Sequence, residues 1–106
     1  LIIRGVNVFP SQVVSVIVGI EELGPHYQLI VRREGFSDTL EVQVELIDGS
    51  LLSSFENLER LQTRVHDRLK TVLGLESKIS LVQPKTLERF QGKAHRVLDL
   101  RGEGQK

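Results

Sequence analysis

The stretch Leu40-Glu41-Val42-Gln43-Val44-Glu45-Leu46 alternates apolar and polar residues without a fault. Successive side chains of a strand point to opposite faces, so this pattern predicts a half-buried β-strand with Leu40, Val42, Val44 and Leu46 turned to a core. Upstream, Tyr27 to Arg33 reads the same way, with Tyr27, Leu29 and Val31 on one face. The connection Glu34-Gly35-Phe36-Ser37-Asp38-Thr39 carries the glycine and aspartate of a hairpin loop, which predicts that the two strands pair antiparallel.

Downstream the period changes. Phe55, Leu58, Leu61, Val65, Leu69 and Val72 step by three or four, the spacing of one helical face, while the intervening positions are mostly charged. Ser53 with Glu56 three residues later predicts a capping box at the start, and Gly74 a left-handed stop. Lys78-Ile79-Ser80-Leu81-Val82 reads as a further strand, ended by Pro84. Ser11 to Ile20 is open to two readings. Val13, Val14, Val16, Ile17 and Val18 favour a strand by propensity, whereas Val13, Ile17 and Ile20 fit a helical face behind the starters Pro10 and Ser11. The helix is preferred, with Gly24-Pro25 closing the unit. The order strand, helix, strand, strand, helix, strand predicts an α+β fold: a small antiparallel sheet with two helices on one face, in the ferredoxin-like style.

Composition narrows the function. With 106 residues there is room for one domain, and 40% hydrophobic against 26% charged residues describes a globular chain. Fourteen basic side chains balance fourteen acidic ones, which gives no electrostatic reason to expect nucleic acid or an anionic membrane as partner. Cysteine is absent, so disulfides and cysteine-based zinc sites are excluded. His26, His66 and His95 stand apart without a second ligand at metal spacing, and no metal site is expected. No apolar run approaches the roughly 20 residues that span a bilayer, and a cytoplasmic location is the expectation. The apolar opening Leu1-Ile2-Ile3 and the polar ending Gly102-Glu103-Gly104-Gln105-Lys106 read as the edges of a domain cut from a longer protein. Residues 1–101 form the domain in this reading and 102–106 a disordered tail.

Motifs for nucleophilic catalysis and phosphate loops are missing. Gly92-Lys93-Ala94 lacks the upstream glycine and following hydroxyl of a phosphate loop. Two segments are nonetheless unusual: Arg4-Gly5-Val6-Asn7-Val8-Phe9-Pro10-Ser11-Gln12 near the start, and Gly92-Lys93-Ala94 followed by Arg96-Val97 and Asp99 near the end. Taken alone, the first is a turn and the second a solvated lysine. Together with Pro25-His26-Tyr27-Gln28, and in this order and spacing, they resemble the C-terminal domain of an acid–CoA ligase of the adenylate-forming superfamily, nearest the phenylacetate–CoA ligases. The resemblance covers essentially the whole chain.

That resemblance implies a mobile lid domain that works with an N-terminal adenylation domain of the same chain. ATP and Mg2+ would be held mainly by that partner, and coenzyme A and an aryl acid would be the other substrates. Lys93 matches the family's catalytic lysine, and Gly92 and Arg89 match the support of its loop. Arg4, Gly5, Val6 and Asn7 match the loop lining the passage for the pantetheine arm of CoA. Family members commonly carry Pro-Arg-Ser before the glycine-lysine pair, where this chain has Glu88-Arg89-Phe90-Gln91. Two other readings of the residues stay open at this point: a freestanding ferredoxin-like module that binds a small regulatory ligand, and a dimerisation domain.

Overall fold

The computed structural model describes residues 1–87 and 96–101, with the side chains of Leu51 and Leu52 left aside. Its centre is the hairpin read from the alternating stretch. The first long strand, Leu23–Glu34, and the second, Ser37–Leu46, pair antiparallel with Tyr27 opposite Val44, Leu29 opposite Val42 and Val31 opposite Leu40. Leu40, Val42, Val44 and Leu46 are all buried, as the alternation requires. The strands run further than their sequence signals, leaving Gly35-Phe36 as the whole turn. Gly35 alone takes a positive φ of 63°, the II′ geometry whose twist matches that of the flanking strands.

In chain order the elements are β1 (Ile2–Ile3), β2 (Val6–Asn7), α1 (Pro10–Val18), β3 (Leu23–Glu34), β4 (Ser37–Leu46), a 3-10 turn (Gly49–Ser53), α2 (Phe55–Leu73), β5 (Lys78–Val82) and β6 (Val97–Asp99). The fold is α+β with two helices, as expected, but the sheet is mixed. Its order is β5-β4-β3-β6, and both outer pairings, β4 with β5 and β3 with β6, are parallel. Parallel neighbours need a crossover, and α2 supplies it between β4 and β5. The expected first strand does not enter this sheet. Residues 2–7 fold back on themselves as a separate two-stranded hairpin, and β6 takes the place beside β3. An antiparallel ferredoxin-like order is therefore not the arrangement found.

The ambiguous segment is the helix α1. Pro10 fills its first turn, and the Gln12 side chain accepts from the Phe9 backbone N–H at 2.9 Å, satisfying a donor at the helix start. The helix closes at Gly19, not at Gly24-Pro25. Those two residues lie inside β3 at an irregularity of its register with β4, where a proline lacking an N–H costs no ladder bond.

Helix α2 buries Leu61, Val65, Leu69 and Leu73, while Phe55 and Val72 from the expected stripe stay exposed. Steps of four advance the stripe about 40° per contact around a helix of 3.6 residues per turn, so the last turn presents Leu73 inward. Its cap is Ser54, whose hydroxyl accepts from the Asn57 N–H, and Ser53 instead closes the preceding 3-10 turn. Gly74 does stop the helix, at φ 80°. Both helices pack against one another, α1 on β3 and α2 on β5, and enclose Leu29, Val31, Val42, Val44, Ile79 and the helix stripes in one core. Among the described residues no helix is long and apolar enough to cross a membrane.

Candidate functional site

Arg4 and Gly5 form the turn of the short hairpin, both left-handed, at φ 52° and 77°. Two positive φ values in succession define a type I′ turn, which glycine enters freely and arginine only at a cost of about 1 kcal/mol or more. The flanks explain how this conformation is held. Ile3 and Val8 are fully buried in the core, and the Val8 N–H donates to the Leu1 carbonyl at 2.7 Å. Between these anchors Arg4, Gly5 and Asn7 are exposed and Val6 is half-buried. A Cβ placed on Gly5 would meet nothing within 4 Å, so the space before the turn is open. The four expected passage residues thus form one solvent-facing tip on a buried base.

Asp38, at the start of β4, gathers the surroundings of this tip. Its backbone carbonyl accepts from Arg4 Nε at 2.8 Å, its Oδ1 from Arg33 Nε at 2.9 Å and its Oδ2 from Arg101 Nη1 at 2.7 Å. Arg101 Nη1 also donates to the Ile2 carbonyl at 2.7 Å, and the rest of its fork grips Asp99 through Nε at 3.0 Å and Nη2 at 2.8 Å. The Arg101 and Arg33 guanidiniums hold the Asp38 carboxyl below the usual carboxylate range, and Arg101 does the same to Asp99. Arg101 is shifted upward in turn by Asp99 and then Asp38, so it stays charged.

These shifts carry a sign. A carboxyl with a depressed folded-state pKa stabilises the fold above its unfolded value, near 4, and that contribution disappears as pH falls through the folded value. The domain is therefore expected to lose part of its urea resistance between neutral pH and pH 3. Asp38→Asn, which cannot titrate, should show a shallower loss. Equal loss in the two proteins would mean that Asp38 does not contribute through its charge.

Further along β4, from its middle to its far end, lies a second polar construction. Glu41 and Glu45 belong to the polar half of the alternating stretch, yet Glu41 is 9% and Glu45 only 2% exposed. Burial raises the Glu41 carboxyl, but hydrogen bonds from Arg32, Ser80 and Gln43 outweigh it and bring the net shift below the ordinary value. Glu45 accepts the backbone N–H of Lys85 at 2.9 Å and of Leu87 at 2.8 Å. Lys85 is itself left-handed, at φ 67°. A carboxylate bonded to the amides of residues 85 and 87 thus fixes the chain just before residue 88. On the far side of residues 88–95, Arg96 stacks over the Tyr27 ring at 4.8 Å from its centroid, a cation–π contact worth about 0.5–1 kcal/mol at a partly exposed site. Tyr27 lies opposite Val44, next to Glu45, so both flanks are held at the same end of the long hairpin.

Lys93, Gly92 and Arg89 lie outside the described residues, as does the tail 102–106. What the structure places is the two flanks of the lysine segment, at Glu45 and Tyr27, and the Arg4–Asn7 tip, beside Asp38. Seven steps along β4 lead from Asp38 to Glu45, or about 23 Å at the strand rise of roughly 3.3 Å. Sequence reading did not single out Glu45, Asp38 or Arg101 as supports. For Glu45 the one signal was a carboxylate among the polar positions of the alternating strand, and that pattern reads equally well as a solvated face. Among the described residues no group of three or more His, Cys, Asp or Glu side chains converges as a metal site.

Against known proteins, the family described as AMP-binding enzyme C-terminal domain matches residues 5–101. A phenylacetate–coenzyme A ligase of Escherichia coli (strain K12) is 46% identical over 101 residues, covering 95% of this chain and 23% of that protein. The chain therefore spans about a quarter of the length of that curated relative. A crystallised domain of a phenylacetate–coenzyme A ligase from Bacteroides vulgatus superposes with a TM-score of 0.85 at 29% identity, covering 95% of this chain and 92% of that one. The 2-hydroxyisobutyryl-CoA ligase, crystallised with 2-HIB-AMP and CoA in its thioesterification state, superposes with a TM-score of 0.82 at 31% identity over 97% of this chain and 22% of that chain.

Proposed function

The chain belongs to the family of AMP-binding enzyme C-terminal domains, and from that premise we propose that it is the mobile C-terminal domain of an ATP-dependent aryl-acid–CoA ligase, of the phenylacetate type. The observation that carries this reading is the distance between the Arg4–Asn7 tip and the described residues that flank the lysine segment. The flanks of the lysine segment and the Arg4–Asn7 tip occupy opposite ends of one rigid hairpin. One active centre on a partner domain meets both segments only if this domain turns between two steps, as rigid-body rearrangements allow.

In the first step the aryl carboxylate attacks the α-phosphate of ATP and pyrophosphate leaves. Lys93 places its ammonium beside the charge that develops there, a preplaced electrostatic stabilisation. In the second step the CoA thiol attacks the carbonyl of the acyl-adenylate and AMP leaves. The Arg4–Asn7 tip then borders the pantetheine passage, where Gly5 leaves room for the arm. Magnesium enters with ATP as substrate and, with the adenine and the acid, is bound by the N-terminal adenylation domain. Similarity to a ligase crystallised with CoA in the thioesterification state supports the second role.

The isolated chain is accordingly expected to fold and to be inactive. A similar domain has been crystallised as a chain of its own, of which this chain covers 92%. The pure chain mixed with ATP, magnesium, phenylacetate and CoA should release no AMP above the blank. Steady turnover by the fragment would overturn the reading of the chain as one part of a two-domain catalyst.

A further inference from the structure

We propose that Arg101 and Asp38 are positioning residues for the thioester-forming step, because together they set the direction of the Arg4–Asn7 tip. The inference rests on the reading of that tip as the border of the CoA passage.

The short hairpin needs such a support. It has only two residue pairs and belongs to a sheet of its own, and a hairpin that small is marginal without outside contacts. Ile3 and Val8 secure its base in the core, but apolar packing is non-directional and leaves the tip free to pivot. Polar ties of fixed geometry remove that freedom. Arg101 Nη1 spans from the Ile2 carbonyl to the Asp38 carboxylate, and Asp38 returns a second tie from its carbonyl to Arg4. Asp99, two residues before Arg101 and on β6, clamps the other side of the guanidinium. At 17% and 13% side-chain exposure, Arg101 and Asp38 are sheltered enough to keep the pair ordered while lying outside the apolar core. Three distant parts of the chain, residues 2–4, 33–38 and 99–101, thus meet at one ion pair.

The fork geometry is specific to arginine. Lysine at position 101 could still meet Asp38, but a single ammonium on a flexible stem cannot also hold the Ile2 carbonyl and both oxygens of Asp99 in fixed directions.

The test uses the full-length ligase that carries this chain, with Arg101→Ala, Arg101→Lys, Asp38→Asn and the double variant Arg101→Ala/Asp38→Asn. Each is measured in pyrophosphate exchange driven by the acid and ATP, and in CoA ester formation from preformed acyl-adenylate. Misplacing a positioned group by about an ångström costs up to roughly a hundredfold in rate. CoA ester formation in Arg101→Ala and Asp38→Asn should therefore fall on the order of tenfold or more, with a raised KM for CoA and exchange within about twofold of wild type. Arg101→Lys should fall between. The double variant should lose little more than either single one, since both residues act through one tie.

Retained exchange certifies a folded enzyme, so a selective loss is not a folding defect. Equal losses in both assays, or normal CoA ester formation in both single variants, would overturn the positioning role. Gly5→Leu, run alongside, separates the two readings. If it blocks CoA while Arg101→Ala and Asp38→Asn do not, the positioning inference alone fails. If it too makes CoA ester normally, the reading of the tip itself fails.

Discussion

In the full-length ligase, Lys93→Ala should lower acyl-adenylate formation by on the order of 10²–10³-fold, roughly 3–4 kcal/mol of transition-state stabilisation. The reason is electrostatic. As the carboxylate attacks the α-phosphate, negative charge accumulates on phosphoryl oxygens, and an ammonium placed in advance stabilises it without reorganisation. Lys93→Arg keeps the charge but widens the head group, so it should restore only part of the rate. CoA ester formation from preformed acyl-adenylate should be largely spared in both variants, because in the proposed cycle the domain turns between the two steps. Pyrophosphate exchange and single-turnover thioester formation, measured on the same preparation, check this. Equal losses in both, or no loss in exchange, would remove the adenylation role from Lys93.

Gly5→Leu should produce the opposite phenotype: exchange nearly intact, CoA ester formation largely lost, and acyl-adenylate retained on the enzyme. Structure sharpens this expectation in two ways. Nothing lies within 4 Å of a Cβ at Gly5, so a larger side chain would meet no neighbour within the domain at its first atom, and it would project into the space that the proposed passage needs. The φ of 77° makes any substituent strained, however, at a cost of about 1–2 kcal/mol. Gly5→Asn is the matched control, because asparagine tolerates left-handed backbone better than leucine and has the same branched skeleton of side-chain heavy atoms. Gly5→Ala reports the strain with the least obstruction. If Gly5→Ala alone abolishes CoA ester formation, backbone strain and not obstruction is the cause. A folded Gly5→Leu enzyme that makes CoA ester at the wild-type rate would contradict a passage at this turn.

How much of this was legible beforehand differs by element. The hairpin and α2 were, because Leu40 to Leu46 and Leu61 to Leu69 each repeat a single period long enough to specify one buried face. The α1 segment was legible only through Pro10 and its alternation of three and four, against a valine-rich composition that favours a strand. What could not be read locally was sheet order. The parallel pairings of β5 and β6 are decided by which strand edges the crossovers reach, and β6 has only three residues, too few for a periodic signal.

The site divides in the same way. Arg4–Asn7 and Lys93 are conspicuous as motifs, and the turn at Arg4-Gly5 follows from glycine chemistry. Its supports are not conspicuous. Asp38 reads as an ordinary hairpin residue and Arg101 as a charge near a terminus, and only the fold brings them within 2.7 Å. Glu45 carries the same lesson. An alternating strand predicts that it faces away from the helices, correctly, but the return of residues 85–87 over that face buries it and turns a solvated carboxylate into an anchor.

The central claim is that one domain serves two half-reactions with two separate ends. The most direct measurement compares Lys93→Ala and Gly5→Leu in the full-length ligase, side by side, in pyrophosphate exchange and in CoA ester formation from preformed acyl-adenylate. A crossed pattern is predicted, with Lys93→Ala deficient in exchange alone and Gly5→Leu deficient in CoA ester formation alone. Loss of the same half-reaction in both variants would contradict it.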